Sequence, residues 1–230
     1  MDVRRIAADL QALGDPARAV GERAYLKSDL EHYGVSLPAV RTVARSVPVA
    51  SREELLFLVD DLWGPVHELR MTAIELLIRH VRLLDDLAVP ERLIRDSRTW
   101  AYVDALAVKV TGTLIVRHPG LATALDAYVT DSNFWIRRTA LLALLPAIRT
   151  GDGDLTRLSA YGDLVLSEKE FFIRKALGWV LRELSKRDPE WVRVWVADRV
   201  SAISGVTFRE AVRHLPPADR DALDAAYRSR

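Results

Sequence analysis

Stretches rich in Ala, Leu, Val, Arg and Glu follow one another along the chain, and no run of alternating β-branched residues interrupts them. This patterning predicts helices and no strands. Residues 2–13 and 16–28 read as two short helices split at Gly14-Asp15-Pro16, where Asp15 caps and Pro16 opens the second. Pro38 begins another helix, and Arg52 to Leu62 forms the next, closed by Trp63-Gly64-Pro65. A longer rhythm overlies these elements. Ala73, Ala105, Ala140, Ala176 and Ala211 each precede a larger aliphatic residue inside a predicted helix, at spacings of 32, 35, 36 and 35, and Ala39 extends the series backward by 34. That period predicts a repeat of helical pairs. A small residue lets neighbouring helices approach closely, and each pair must stack on the next to bury its apolar face. Turn signals at His118-Pro119-Gly120, Gly151-Asp152-Gly153 and Asp188-Pro189 fall between the helices. No linker or low-complexity segment divides the chain, so a single domain over residues 1–230 is expected.

Composition narrows the function classes. With 33 basic and 32 acidic residues the net charge is +1, so attraction to nucleic acid must come from where the charges lie and not from their sum. The absence of cysteine excludes disulfides, thiolate metal sites and thiol nucleophiles. The histidines, at positions 32, 67, 80, 118 and 214, lack metal-ligand spacing, and no phosphate-loop glycine motif occurs. Neither a metal site nor a cofactor is expected. The opening Met-Asp-Val-Arg-Arg-Ile lacks an apolar signal core, and no stretch approaches the ~20 apolar residues that cross a bilayer. A cytoplasmic monomer without a membrane partner is the expectation.

The repeat register identifies residues that share a face, because each step along a helix turns the side chain by about 100°. Counted from the repeat alanine, Trp100 lies at minus five, Asp104 at minus one, Arg138 at minus two and Trp179 at plus three. All fall within a sector of about 140°. Trp135, at minus five, joins them, with Arg174, Lys175, Arg182 and Lys186 from one helix, Arg209 and Arg213 from the last and Arg79 from an early one. If the helices stack side by side, this sector lines an inner curve, and basic groups interleaved with aromatics there suit a phosphate backbone. Each residue also has an ordinary explanation. A lone Trp is more often packing, a lone Asp is a surface charge, and an Arg such as Arg138 often pairs with a neighbouring carboxylate. Trp100 and Asp104, one turn apart within Thr99-Trp-Ala-Tyr-Val-Asp104, are the more specific pair, since an indole beside a carboxylate favours a cation.

These segments resemble the DNA alkylation repair glycosylases of the AlkD type, which are built from stacked HEAT-like helical pairs. The resemblance is densest in Phe171-Phe-Ile-Arg-Lys-Ala-Leu-Gly-Trp-Val-Leu-Arg-Glu183. Asn133-Phe-Trp-Ile-Arg-Arg-Thr-Ala140 is a second such segment. Ala24-Tyr-Leu-Lys27, Thr99 to Asp104 and Arg209-Glu-Ala-Val-Arg-His-Leu215 are similar to further family segments, in the same order. The resemblance implies an all-α fold, a right-handed solenoid of HEAT-like antiparallel helical pairs with a concave basic surface. It implies that Trp100, Asp104 and Trp179 fall in the catalytic pocket, Arg138 on a DNA backbone contact and Tyr25 on an aromatic residue near the lesion. Ala101 departs from the family, which often has an acidic residue directly after the pocket tryptophan.

The implied partner is duplex DNA containing alkylated purines. Alkylation at N3 or N7 places positive charge on a purine and makes the base a good leaving group, so a strong general acid is unnecessary. Charge develops at the sugar carbon as the bond breaks, and a fixed carboxylate stabilises it. Release of the base would leave an abasic site. A monofunctional glycosylase is therefore expected; a lysine nucleophile for strand cleavage is not suggested, although Lys175 lies on the same face. The competing class is a helical-repeat scaffold or non-catalytic DNA binder that kept the architecture without the chemistry.

Overall fold

The computed structural model describes residues 3–230, which form an all-helical fold. Their Cα packing divides them into a first unit ending at Leu106 and a second running Ala107–Arg230. The first unit contains α1 (Val3–Gln11), α2 (Pro16–Leu26), α3 (Leu37–Ser46), α4 (Arg52–Leu62), α5 (His67–Arg79), α6 (Ala88–Asp96) and α7 (Trp100–Ala105). The first helix was expected from residue 2, which lies outside the described residues. α2 starts where the sequence indicates: the Asp15 carboxylate accepts the backbone N–H groups of Ala17 and Arg18, and Pro16 needs no N–H at the first helical position. α4 matches its expected bounds, capped by Ser51.

α1, α3, α5 and α7 pack in succession, with α4 against α1 and α5. Between α2 and α3 an extended segment docks on the start of α5. Glu31 N–H donates to the Pro65 carbonyl at 3.0 Å and its own carbonyl accepts His67 N–H at 2.9 Å, making one parallel bridge between Glu31 and Val66. Gly34 closes this segment onto α2. Its φ is 78°, a left-handed conformation open to glycine, and a Cβ there would lie 2.0 Å from the Asp15 carbonyl oxygen.

π-helical turns, Leu106–Thr111, follow α7, and the second unit continues with α8 (Gly112–Arg117), α9 (Ala124–Tyr128), α10 (Phe134–Leu142), α11 (Leu145–Thr150) and α12 (Leu155–Val165). It then runs through α13 (Phe171–Ser185), α14 (Pro189–Asp198), α15 (Gly205–Ala211) and α16 (Pro217–Arg228). α10, α13 and α15 pack in succession, with α12 and α14 behind them. His118-Pro119-Gly120 is not a simple turn, because Pro119–Thr123 winds into a short 3₁₀ helix.

The repeat alanines lie on the helices that stack. Ala39, Ala73 and Ala105 are on α3, α5 and α7, and Ala140, Ala176 and Ala211 on α10, α13 and α15. Ala73, Ala140, Ala176 and Ala211 are each 0% exposed, as close helix approach requires. Polar contacts repeat with the same period. Arg41 to Glu75, Arg149 to Glu183 and Arg199 to Asp163 join residues 34, 34 and 36 apart. Among the described residues no helix is long and apolar enough to cross a membrane.

Candidate functional site

α7 sorts its residues by helical phase. Tyr102 and Val103 are buried, 1% and 0% exposed, while Trp100 and Asp104, one turn apart, remain partly exposed. The helix begins at Trp100 because the Thr99 hydroxyl caps it, accepting the Ala101 N–H. Tyr25, near the end of α2 and 72% exposed, meets the Trp100 indole in a T-shaped contact. The ring centres are 5.9 Å apart and the planes meet at 89°. The first unit thus sets Tyr25 against Trp100, with Asp104 one helical turn further along α7.

Behind α7 lies a buried polar cluster that sequence spacing did not reveal. Tyr102 Oη and His67 Nδ1 share a hydrogen bond of 2.6 Å, and the His67 ring stacks on His32 at 4.4 Å between centres. Burial, with His32 beside it, pushes His67 down to about 4 against the opposing pull of Glu68. Burial likewise holds His32 below the usual histidine value, against the raising effects of Glu68 and Glu22. Glu68, 0% exposed, accepts the backbone N–H groups of Tyr33, Gly34 and Val35 at 3.0, 2.7 and 3.1 Å. Histidines 35 residues apart in sequence carry no local motif that would mark this cluster.

The remaining candidates lie in the second unit, where several of them have partners within the protein. Trp135 and Arg138 are buried, 7% and 3% exposed. The Arg138 guanidinium donates to the Phe172 carbonyl and lies 5.9 Å from the Phe172 ring centre, while Trp135 packs on Phe134 and Phe172 at 4.3 and 4.9 Å. Both residues fasten α10 to α13. Arg174 donates from Nε to the Glu168 carbonyl at 2.6 Å. Lys175 and Arg182 converge on a single carboxylate, Glu210 of α15. Burial raises the Glu210 pKa, but the Lys175 hydrogen bond and the charges of Arg182, Lys175 and Arg213 outweigh it and hold the group below the usual value. Glu210 was not anticipated, although it shares the minus-one register position with Lys175, so a stacked repeat sets the two side by side. Trp179 is partly exposed at mid-α13, and no ring of the described residues stacks on it.

Comparison with known families settles the affiliation. A family described as DNA alkylation repair enzyme matches residues 6–215. The chain belongs to the DNA alkylation repair enzyme family. The fold agrees. A protein from Enterococcus faecalis described as a predicted DNA alkylation repair enzyme superposes with a TM-score of 0.77 at 24% identity, covering 89% of this chain and 97% of that one. The alkylpurine DNA glycosylase AlkC of Pseudomonas fluorescens, solved bound to DNA containing an abasic site analogue, superposes with a TM-score of 0.51 at 15% identity. That match covers 91% of this chain and 61% of AlkC. No protein of curated function matches the sequence significantly. Within this family member, the residues that sequence resemblance assigns to a pocket divide into Tyr25, Trp100 and Asp104 of the first unit and Trp179 of the second.

Proposed function

We propose that this protein is a monofunctional DNA glycosylase of the AlkD type that hydrolyses the N-glycosidic bond of cationic N3- or N7-alkylpurines in duplex DNA. The observation that carries the reading is the Trp100 and Asp104 pair on the exposed side of α7, with Tyr25 set against the indole. In the proposed reaction the bond from the sugar C1′ to the purine nitrogen breaks, its electron pair neutralises the alkylated base, and water adds to C1′ with loss of a proton. Asp104 stabilises the positive charge that develops on the sugar and orients the water. Trp100 and Tyr25 offer aromatic faces to the cationic nucleotide, each worth about 0.5–2 kcal/mol. Family membership supports the reading, as does a fold shared with a protein described as an alkylpurine glycosylase.

A second reading, a DNA-binding or scaffold protein without chemistry, draws on the commitment of Lys175 and Arg182 to Glu210 and of Arg174 to Glu168, which leaves less charge for phosphates. Incubation with duplex DNA treated with a methylating agent, followed by separation of the released purines, decides between them. The glycosylase reading expects free 3-methyladenine or 7-methylguanine above the spontaneous background, with the strand left intact at the abasic site. Retention of all methylated bases under binding conditions would favour the scaffold.

A further inference from the structure

α2 has no buried residue, yet it holds Tyr25 against Trp100. Its N-terminus is fixed by the Asp15 cap and the close approach of Gly34, which leaves open what secures the later turns, where Glu22 and Tyr25 lie. Glu22 points toward the buried cluster at the start of α5. One of its oxygens, Oε1, pairs with Arg18 at 2.7 Å, whereas Oε2 is buried without a hydrogen-bond partner. Both ring nitrogens of His32 are also buried and unpartnered. Three orphaned polar atoms in one place are a substantial cost unless something binds them. Glu68 completes the set. Its Oε1 accepts two backbone N–H groups but Oε2 accepts only one, from Tyr33, so a lone pair remains there.

We propose that Glu22, His32 and Glu68 form a binding site for a divalent first-row transition ion of the Zn²⁺ class, which fastens α2 to α5. One donor atom from each of the three residues lies within 4.8 Å of the others. Ligands around tetrahedral zinc are about 3.4 Å apart, so an adjustment of about an ångström closes the site. Glu22, on an exposed helix and itself partly exposed, is free to supply it. Two carboxylates match the charge of a divalent ion, and an imidazole among the ligands favours a transition ion over Mg²⁺ or Ca²⁺. The stacked His67 ring fixes the plane of His32, as an outer-shell partner orients a ligand. The ion would tie Glu22, and with it the next turn carrying Tyr25, to the body of the first unit.

The test does not depend on glycosylase activity. The full chain is freed of metal with a chelator and titrated calorimetrically with ZnCl₂ and, separately, MgCl₂. Hydrogen exchange is then followed over residues 16–26. The proposal expects one Zn²⁺ per chain and negligible heat from Mg²⁺. With free Zn²⁺ at about 100 times Kd, exchange along α2 slows by up to ~100-fold. Glu22→Gln keeps the shape of a partly exposed side chain, so it leaves the fold intact. It should weaken Zn²⁺ binding by at least the ~10–100-fold that loss of an outer-shell partner costs, and His32→Asn should do the same. Absence of stoichiometric Zn²⁺ binding, or binding indifferent to both substitutions, would overturn the proposal and leave buried water to satisfy the orphaned atoms.

Discussion

Helical phase separates chemistry from packing within six residues. Tyr102 lies about 200° around α7 from Trp100 and is drawn into the buried histidine cluster, whereas Asp104 returns to the Trp100 side after about 400°. On α10, the adjoining α13 lays the Phe172 carbonyl beside the Arg138 guanidinium, so this residue has a packing role visible only in the fold. A hydrogen bond from a charged donor contributes about 1.5–3 kcal/mol, and truncating Arg138 removes it together with the packing on Phe172. Arg138→Ala should therefore lower the thermal midpoint by several degrees, at about 2–4 °C per kcal/mol for a chain of this size. An unchanged midpoint with weakened binding to all duplexes would return Arg138 to the role of a phosphate contact.

At the scale of elements, the period set by the repeat alanines reappears as ion pairs between successive turns of the repeat. Arg52 to Asp86, Arg157 to Asp126 and Arg199 to Asp163 span 34, 31 and 36 residues. In each pair the arginine's hydrogen bond holds the aspartate below its ordinary value, and Tyr161 adds a second hydrogen bond at Asp126. The sign follows from linkage: a depressed carboxylate contributes stability above its unfolded pKa, near 3.8, and loses it as pH falls through the lower native value. These aspartates are 43%, 53% and 51% exposed, so each contribution is small and screened by salt. The thermal midpoint should fall on acidification below about pH 4, and the triple Asp→Asn variant should start lower at pH 7 and lose less on acidification. Equal losses in both proteins would remove these pairs from the account. The repeat was legible in sequence because close helix packing demands a small residue at a fixed register. The pairing of cations was not, since an arginine on a helix looks alike whether it meets a phosphate, a carboxylate or water. The π-helical turns at Leu106–Thr111 gave no sign either, since backbone hydrogen-bond register is not written in a run of aliphatic residues.

Across the whole molecule, 33 basic residues face 32 acidic ones, and several of the cations expected to bind DNA already have partners within the protein. Charge alone therefore does not make this family member an enzyme. The case for chemistry rests on Asp104, whose position beside Trp100 was legible from a spacing of four residues, while the approach of Tyr25 was visible only in the folded first unit. Asp104→Asn keeps the shape of the side chain and removes its charge, separating transition-state stabilisation from packing. The decisive measurement is single-turnover release of 7-methylguanine or 3-methyladenine from duplex DNA at saturating concentrations of each protein, so that differences in binding drop out. The account predicts a folded variant that still binds duplex DNA and excises about 10²–10³ times more slowly than the parent, down toward the spontaneous rate. Equal rates for the two proteins would contradict it.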